Sequence, residues 1–290
     1  MQGTQAAGKG SAQEAGQGFR RGAGQEGGRQ RQQGSPGQEG RRPMVGVIVP
    51  PAAGEVPPEL PQLYGRDLDF IACGLALGRL TTAGYDAVID QVAAASRELA
   101  GRGADAVALM GTSLSFYRGK AFNEQLVRTM AEATGLPVTT MSNAVVEALR
   151  AVGGTRIAVA TAYTTEVNER LAVFLRDSGF DVAGIEALEL VEIPDIHAVG
   201  DADLLELGRR AAASSPGADA LLISCGGLRT LPVELPLEQS LGLPVVSSAV
   251  AGAWAAARLV GHSGAAPGRT RLLGSAAAGA SARPPEEVMR

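Results

Sequence analysis

The side chains able to do chemistry gather in a few short stretches. An apolar run ends at Cys225, and Gly226 and Gly227 follow it in "LLISCGGLRT" (221–230). A thiol can shuttle a proton, and glycines let a ligand come close to backbone N–H groups. A buried structural thiol in a tight turn accounts for the same letters. A second stretch, "MGTSLSFYRG" (110–119), offers Thr112, Ser113 and Ser115, and "ATAYTTEV" (160–167) adds the phenol of Tyr163. Their ordinary alternatives are helix capping for "GTS" and a core tyrosine with a wet tip. All these groups are neutral donors, and no Asp, Glu, Lys or His joins the set. Neutral donors in loops next to helix N-termini suit an anion, most simply a carboxylate.

The elements that must position these loops follow from hydrophobic patterning. Short continuous apolar runs at 44–51, 105–111, 136–141, 156–163, 219–225 and 241–247 read as buried strands. Amphipathic stretches at 84–103, 121–135, 142–153, 166–179, 201–215 and 249–261 read as helices, the third capped by Ser142. Continuous apolar strands alternating with helices specify an α/β fold with parallel sheets covered on both faces. The pattern also repeats. "ADAVALMGTS" (104–113) aligns with "ADALLISCGG" (218–227), and "TGLPVTTMSNAVVEALRAVG" (134–153) with "LGLPVVSSAVAGAWAAARLVG" (241–261). "VGVIVPP" (45–51) aligns with "IAVATAY" (157–163). Gly111 and Cys225 are therefore equivalent positions, as are Pro51 and Tyr163. Two similar domains are expected, one over 44–153 plus 245–275 and one over 154–244. Strand C-termini from both would meet at a cleft, where open α/β sheets place ligands.

Composition bounds the rest. The 290 residues are 45% hydrophobic with a net charge of −4. No basic face is advertised, which argues against nucleic acid as a partner. No run reaches the roughly 18 apolar residues a membrane span needs. Two cysteines, Cys73 and Cys225, make no disulfide framework and suit a reduced, cytoplasmic setting. Cys73 reads as packing, and His197 and His262 as surface or capping residues. No metal-ligand spacing surrounds the histidines. There is no GxxxxGK[ST] and no GxGxxG after a strand, so a phosphate loop is a poor reading of the glycines. A Cys–His hydrolase also fits poorly, because neither histidine falls on a repeat-equivalent loop. Residues 1–43, rich in Gly, Gln and Arg, and the tail 276–290 read as disordered.

The two-half layout, with a reactive position at the end of each half's third motif, resembles the Asp/Glu racemase superfamily. Most of those cofactor-independent racemases carry a cysteine at both positions, whereas here the first is Gly111. "VPPAAG" (49–54), "FIACGLALG" (70–78), "MGTSLSFYRG", "ATAYTTEVNERL" (160–171), "LLISCGGLRT" and "GLPVVSS" (242–248) together resemble the arylmalonate decarboxylase family over about residues 44–275.

That resemblance implies a monomer that decarboxylates α-aryl malonates to α-aryl carboxylic acids without cofactor or metal. By position, it implies that Thr112, Ser113, Tyr163 and Gly226 form a dioxyanion hole and that Cys225 donates a proton. It implies a binding pocket built from Pro50, Pro51, Leu77, Leu80, Gly111, Ile193, Ile196 and Gly227. The alternatives are a maleate isomerase, an amino-acid or hydantoin racemase, and a non-catalytic carboxylate-binding protein.

Overall fold

The computed structural model describes residues 41–266 and 268–274. The tail expected over 276–290 and nearly all of the extension expected over 1–43 lie outside the described residues. Two four-stranded parallel sheets carry the fold. The first holds β1 (Met44–Val49), β2 (Asp69–Gly74), β3 (Ala106–Leu109) and β4 (Val138–Thr140) in the order β2-β1-β3-β4. The second holds β5 (Arg156–Thr161), β6 (Asp181–Ala187), β7 (Ala220–Ser224) and β8 (Val245–Ser247) in the order β6-β5-β7-β8. Helices α1 (Glu59–Tyr64), α2 (Thr82–Val88), α3 (Val92–Gly101), α4 (Thr112–Phe116), α5 (Lys120–Thr134) and α6 (Met141–Ala151) connect the first set of strands. Helices α7 (Thr165–Asp177), α8 (Ile193–His197), α9 (Asp201–Ala213), α10 (Leu231–Leu241), α11 (Ser248–Leu259) and α12 (Arg271–Gly274) accompany the second.

The central strands are buried because they are apolar on both faces, as a helix-covered parallel sheet requires. Registers match between the halves. Val45 pairs with Ala106 as Ile157 pairs with Ala220, and Val107 pairs with Val138 as Leu221 pairs with Val245. These are the pairs the aligned repeats demand. The correspondence extends to the edge strands, which the sequence pattern did not reveal. After β2, the N–H groups of Leu75 and Leu77 donate to Val49 and Pro50 carbonyls at 3.0 and 2.8 Å. After β6, those of Leu188 and Leu190 donate to Thr161 and Ala162 at the same two distances. Between each pair sits a left-handed non-glycine residue, Ala76 (φ 57°) or Glu189 (φ 55°). Such residues persist where flanking bonds over-determine the backbone.

Three expectations need correction. The helix expected over 84–103 is broken by a 3-10 turn at Ile89–Gln91. The cap of α6 is Thr140, whose side chain accepts from Asn143 N–H; Ser142 is buried and donates instead to Thr112 O at 3.0 Å. The boundary at 245 also moves, because β8 hydrogen-bonds to β7 and belongs to the second sheet. The return to the first half begins with α11, which packs on α6 and on β3 and β4.

The open edge of the second sheet is sealed by two acids one helical turn apart on α10. Glu238 accepts from Val245 N–H at 3.0 Å and Glu234 from Ser247 N–H at 2.8 Å. Both are buried, and unpaired edge N–H groups would otherwise be costly. Burial pushes the Glu234 carboxyl up to about 8, opposed by the Ser247 hydroxyl and N–H and reinforced by Glu238 and Glu59. The folded chain thus holds a proton that the unfolded chain releases near the ordinary carboxyl value. The stabilisation is complete at acid pH and is lost as pH rises towards 8, by up to about 1.4 kcal/mol per pH unit. Urea unfolding should therefore show stability falling between pH 5 and pH 8. Glu234→Gln, which keeps the acceptor but cannot ionise, should flatten that slope.

Candidate active site

The exits of β1, β3, β5 and β7, two strands from each sheet, open into one cavity of about 440 Å3. β1 delivers Pro50 and Pro51, β3 delivers Gly111, Thr112 and Ser113, β5 delivers Tyr163, and β7 delivers Cys225, Gly226 and Gly227. Leu77 and Leu80 reach the same cavity from the loop after β2, and Ile193 and Ile196 reach it from α8. The structure thus brings together, apart from Ser115, the polar and apolar site residues that the sequence singled out.

Part of the lining is a set of donors. α4 starts at Thr112, and its own bonds begin when Ser115 N–H reaches Gly111 O at 3.1 Å. The first N–H groups of a helix have no partner inside it, which leaves those of Thr112 and Ser113 for the cavity. Ser115 itself faces away, bonded to Gly111 O, Thr112 O and Ser142 Oγ. The Thr112 hydroxyl donates to Met141 Sδ at 2.9 Å. Tyr163 is 1% exposed, and its hydroxyl makes no hydrogen bond of standard geometry within the protein. Tyr85, whose hydroxyl lies close to Ser113, is in the same condition. Burial holds both phenols well above their usual value. Of the two, Tyr163 lines the cavity and Tyr85 does not, so the Tyr163 hydroxyl is the one placed to serve a ligand there.

Cys225 lines the same cavity. It is 4% exposed, and burial pushes its thiol up to about 11 against the opposing N–H of Gly227, the Tyr163 hydroxyl and the N–H of Leu228. At neutral pH the sulfur keeps its proton, which suits a donor better than a nucleophile. A methyl group on Gly226 would sit 2.8 Å from Met141 Sδ, so the methionine would have to shift to admit one. Leu77, Leu80, Ile193 and Ile196 give the same cavity an apolar lining. The two halves of this lining are joined where Leu80 N–H donates to Val191 O at 3.0 Å and Arg79 Nε meets Glu192 Oε1 at 2.8 Å.

The expectation that no charged residue joins the site requires correction. Glu55, Glu59, His197 and Arg229 also line the cavity. Glu59 is buried and its carboxyl is raised by desolvation, with Arg229 opposing. His197 enters because α8 folds back over the turn after β7, a contact no local pattern signals. His262 instead lies away from the cavity, paired with Asp67 at 3.5 Å and edge-on to Tyr64. Cys73 sits half-buried on β2, with its thiol 3.4 Å from Glu98. Among the described residues, no cluster of His, Cys, Asp or Glu could hold a metal, and no helix is long and apolar enough to cross a membrane.

A family model described as arylmalonate decarboxylase matches residues 45–273. The chain belongs to the arylmalonate decarboxylase family. An arylmalonate decarboxylase of Bordetella bronchiseptica is 51% identical over 81% of this chain and 98% of its own. A solved arylmalonate decarboxylase variant in a liganded form superposes with a TM-score of 0.78 at 50% identity, covering 79% of this chain and 98% of that one. In that variant a glycine is changed to cysteine and a cysteine to serine. The two positions are as far apart as Gly111 and Cys225 are here. A maleate isomerase of Nocardia farcinica is 27% identical over 79% of this chain and 94% of its own.

In this family member, removing the unpartnered phenol hydroxyl should separate stability from binding. Tyr163→Phe should unfold at nearly the parent's urea concentration, because the hydroxyl makes no hydrogen bond of standard geometry. Its affinity for phenylacetate, read by calorimetry, should fall roughly tenfold, as expected for a lost hydrogen bond to a charged group.

Proposed function

We propose that this chain decarboxylates α-aryl malonates to α-aryl carboxylic acids without a cofactor, Cys225 supplying the proton. The observation that carries this reading is one buried, protonated thiol lining the same cavity as a set of neutral donors and four apolar side chains. The carboxylate that stays would accept from the hydroxyls of Thr112, Ser113 and Tyr163 and from the N–H groups of Thr112, Ser113 and Gly226. The carboxylate that leaves would lie against Leu77, Leu80, Ile193 and Ile196, beside Pro50, Pro51 and Gly227. Poor solvation of that anion favours discharging it as neutral CO2.

As the carbon–carbon bond breaks, its electron pair enters the enediolate, whose growing negative charge the fixed donors stabilise. The thiol proton then passes to the α-carbon from one face, and the enediolate closes to a carboxylate. Gly111 stands where a second thiol would serve the opposite face, so the site delivers a proton from one side only. This supports a decarboxylase over a two-cysteine racemase.

CO2 release from phenylmalonate, without added metal or cofactor, tests the reaction. Cys225→Ala should lower it at least about 100-fold while still binding phenylacetate; unchanged turnover would remove the thiol from the mechanism. Gly111→Cys should add slow racemisation of an α-aryl propionate, seen by chiral chromatography, and should reduce decarboxylation. Its β-carbon would sit 3.2 Å from both Leu114 Cβ and Pro50 Cγ, so the neighbours must yield only slightly.

A further inference from the structure

Resting on the reading above, the cycle leaves one proton unaccounted for. Cys225 ends each turnover as a thiolate inside a cavity where it is 4% exposed. The net reaction consumes a proton, and that proton has to reach the sulfur from solvent before the next substrate can be protonated. The sulfur is strongly basic there, so the difficulty is the route rather than the driving force.

His197 offers the route. It ends α8, is exposed to solvent and lines the cavity. A methyl group placed on Gly227 would lie 3.5 Å from both Cδ2 and Nε2 of its ring. The imidazole edge therefore lies over the turn whose Gly227 N–H faces the sulfur. The other ionisable side chains lining the cavity suit the task less well. Arg229 does not release its proton. The Tyr163 phenol is buried and holds its proton more tightly than usual. Glu59 is buried at the start of α1 and has no exposed face from which to regain a proton, and Glu55 belongs to the exposed loop before it. Imidazole can give a proton from one nitrogen while taking one on the other.

We infer that His197 returns the proton to Cys225 between turnovers. The imidazole N–H gives its proton to the thiolate sulfur, directly or through one water, restoring the thiol. The ring then regains a proton from solvent. No other bond changes.

The test separates the first turnover from the later ones. The resting enzyme already carries the thiol proton, so His197→Gln with enzyme in excess over phenylmalonate should release CO2 at the parent's rate. With substrate in excess, kcat should fall about tenfold or more, the low end of general acid–base effects. A burst of one CO2 per enzyme should precede the slow phase. Added imidazole should restore much of the rate. A steady-state rate equal to the parent's overturns the role, as does a single-turnover rate that falls in step with kcat. Failure of the parent itself to release CO2 would instead overturn the proposed reaction.

Discussion

The burial of one thiol sets the terms for the whole site. Water is kept from Cys225, so its proton stays on sulfur at neutral pH. The same exclusion leaves the hydroxyls of Tyr163 and Tyr85 without partners and makes every donor in the cavity stronger towards an incoming anion. An open cleft with the same residues would lose both effects. The fold's task is therefore to close the cavity without filling it, and it does so with strand ends from two sheets and with loops that fold over them.

The supports behind the donors show how this is achieved. Ser115 and Ser142 bond to each other and to the carbonyls of Gly111 and Thr112, which fixes the start of α4 from behind. Met141 accepts from the Thr112 hydroxyl and also packs where a side chain on Gly226 would be. One methionine thus touches the donor turn of the first sheet and the thiol turn of the second. Since α6 and α11 pack together, and each follows the last strand of its sheet, these turns are registered by the core rather than by loop contacts. Thr140 and Ser247 cap those two helices at equivalent places.

What could be read from the sequence follows what burial writes into it. β3 and β7 are continuous apolar runs, and their repeat makes Gly111 the counterpart of Cys225. The edge strands β2 and β6 are only half-buried, and "DFIACG" and "DVAGIEA" mix small, charged and apolar residues, so neither stands out. α4 and α8 are five residues each, too short for a helical period. α10 holds Pro232 and Pro236, which read as breakers; one falls in its first turn and the other is tolerated inside. Glu234 and Glu238 look like surface charges in a string of letters, because nothing in one dimension shows the strand edge they seal. His197 escaped for a related reason: its position has no reactive counterpart in the other half.

The cross-half join at Arg79 and Glu192 has a consequence for inheritance. The ion pair is largely exposed, at 63% and 47%, and such pairs contribute at most about 1 kcal/mol. The segments it joins carry the hydrocarbon wall, whereas the donors and the thiol are fixed separately at the ends of the central strands. Mutations along 76–80 and 190–196 can therefore reshape the apolar lining of the cavity while the donor turn and the thiol turn stay where they are. A lineage built on this plan can vary one lining of its cavity without rebuilding the strand ends that carry the other.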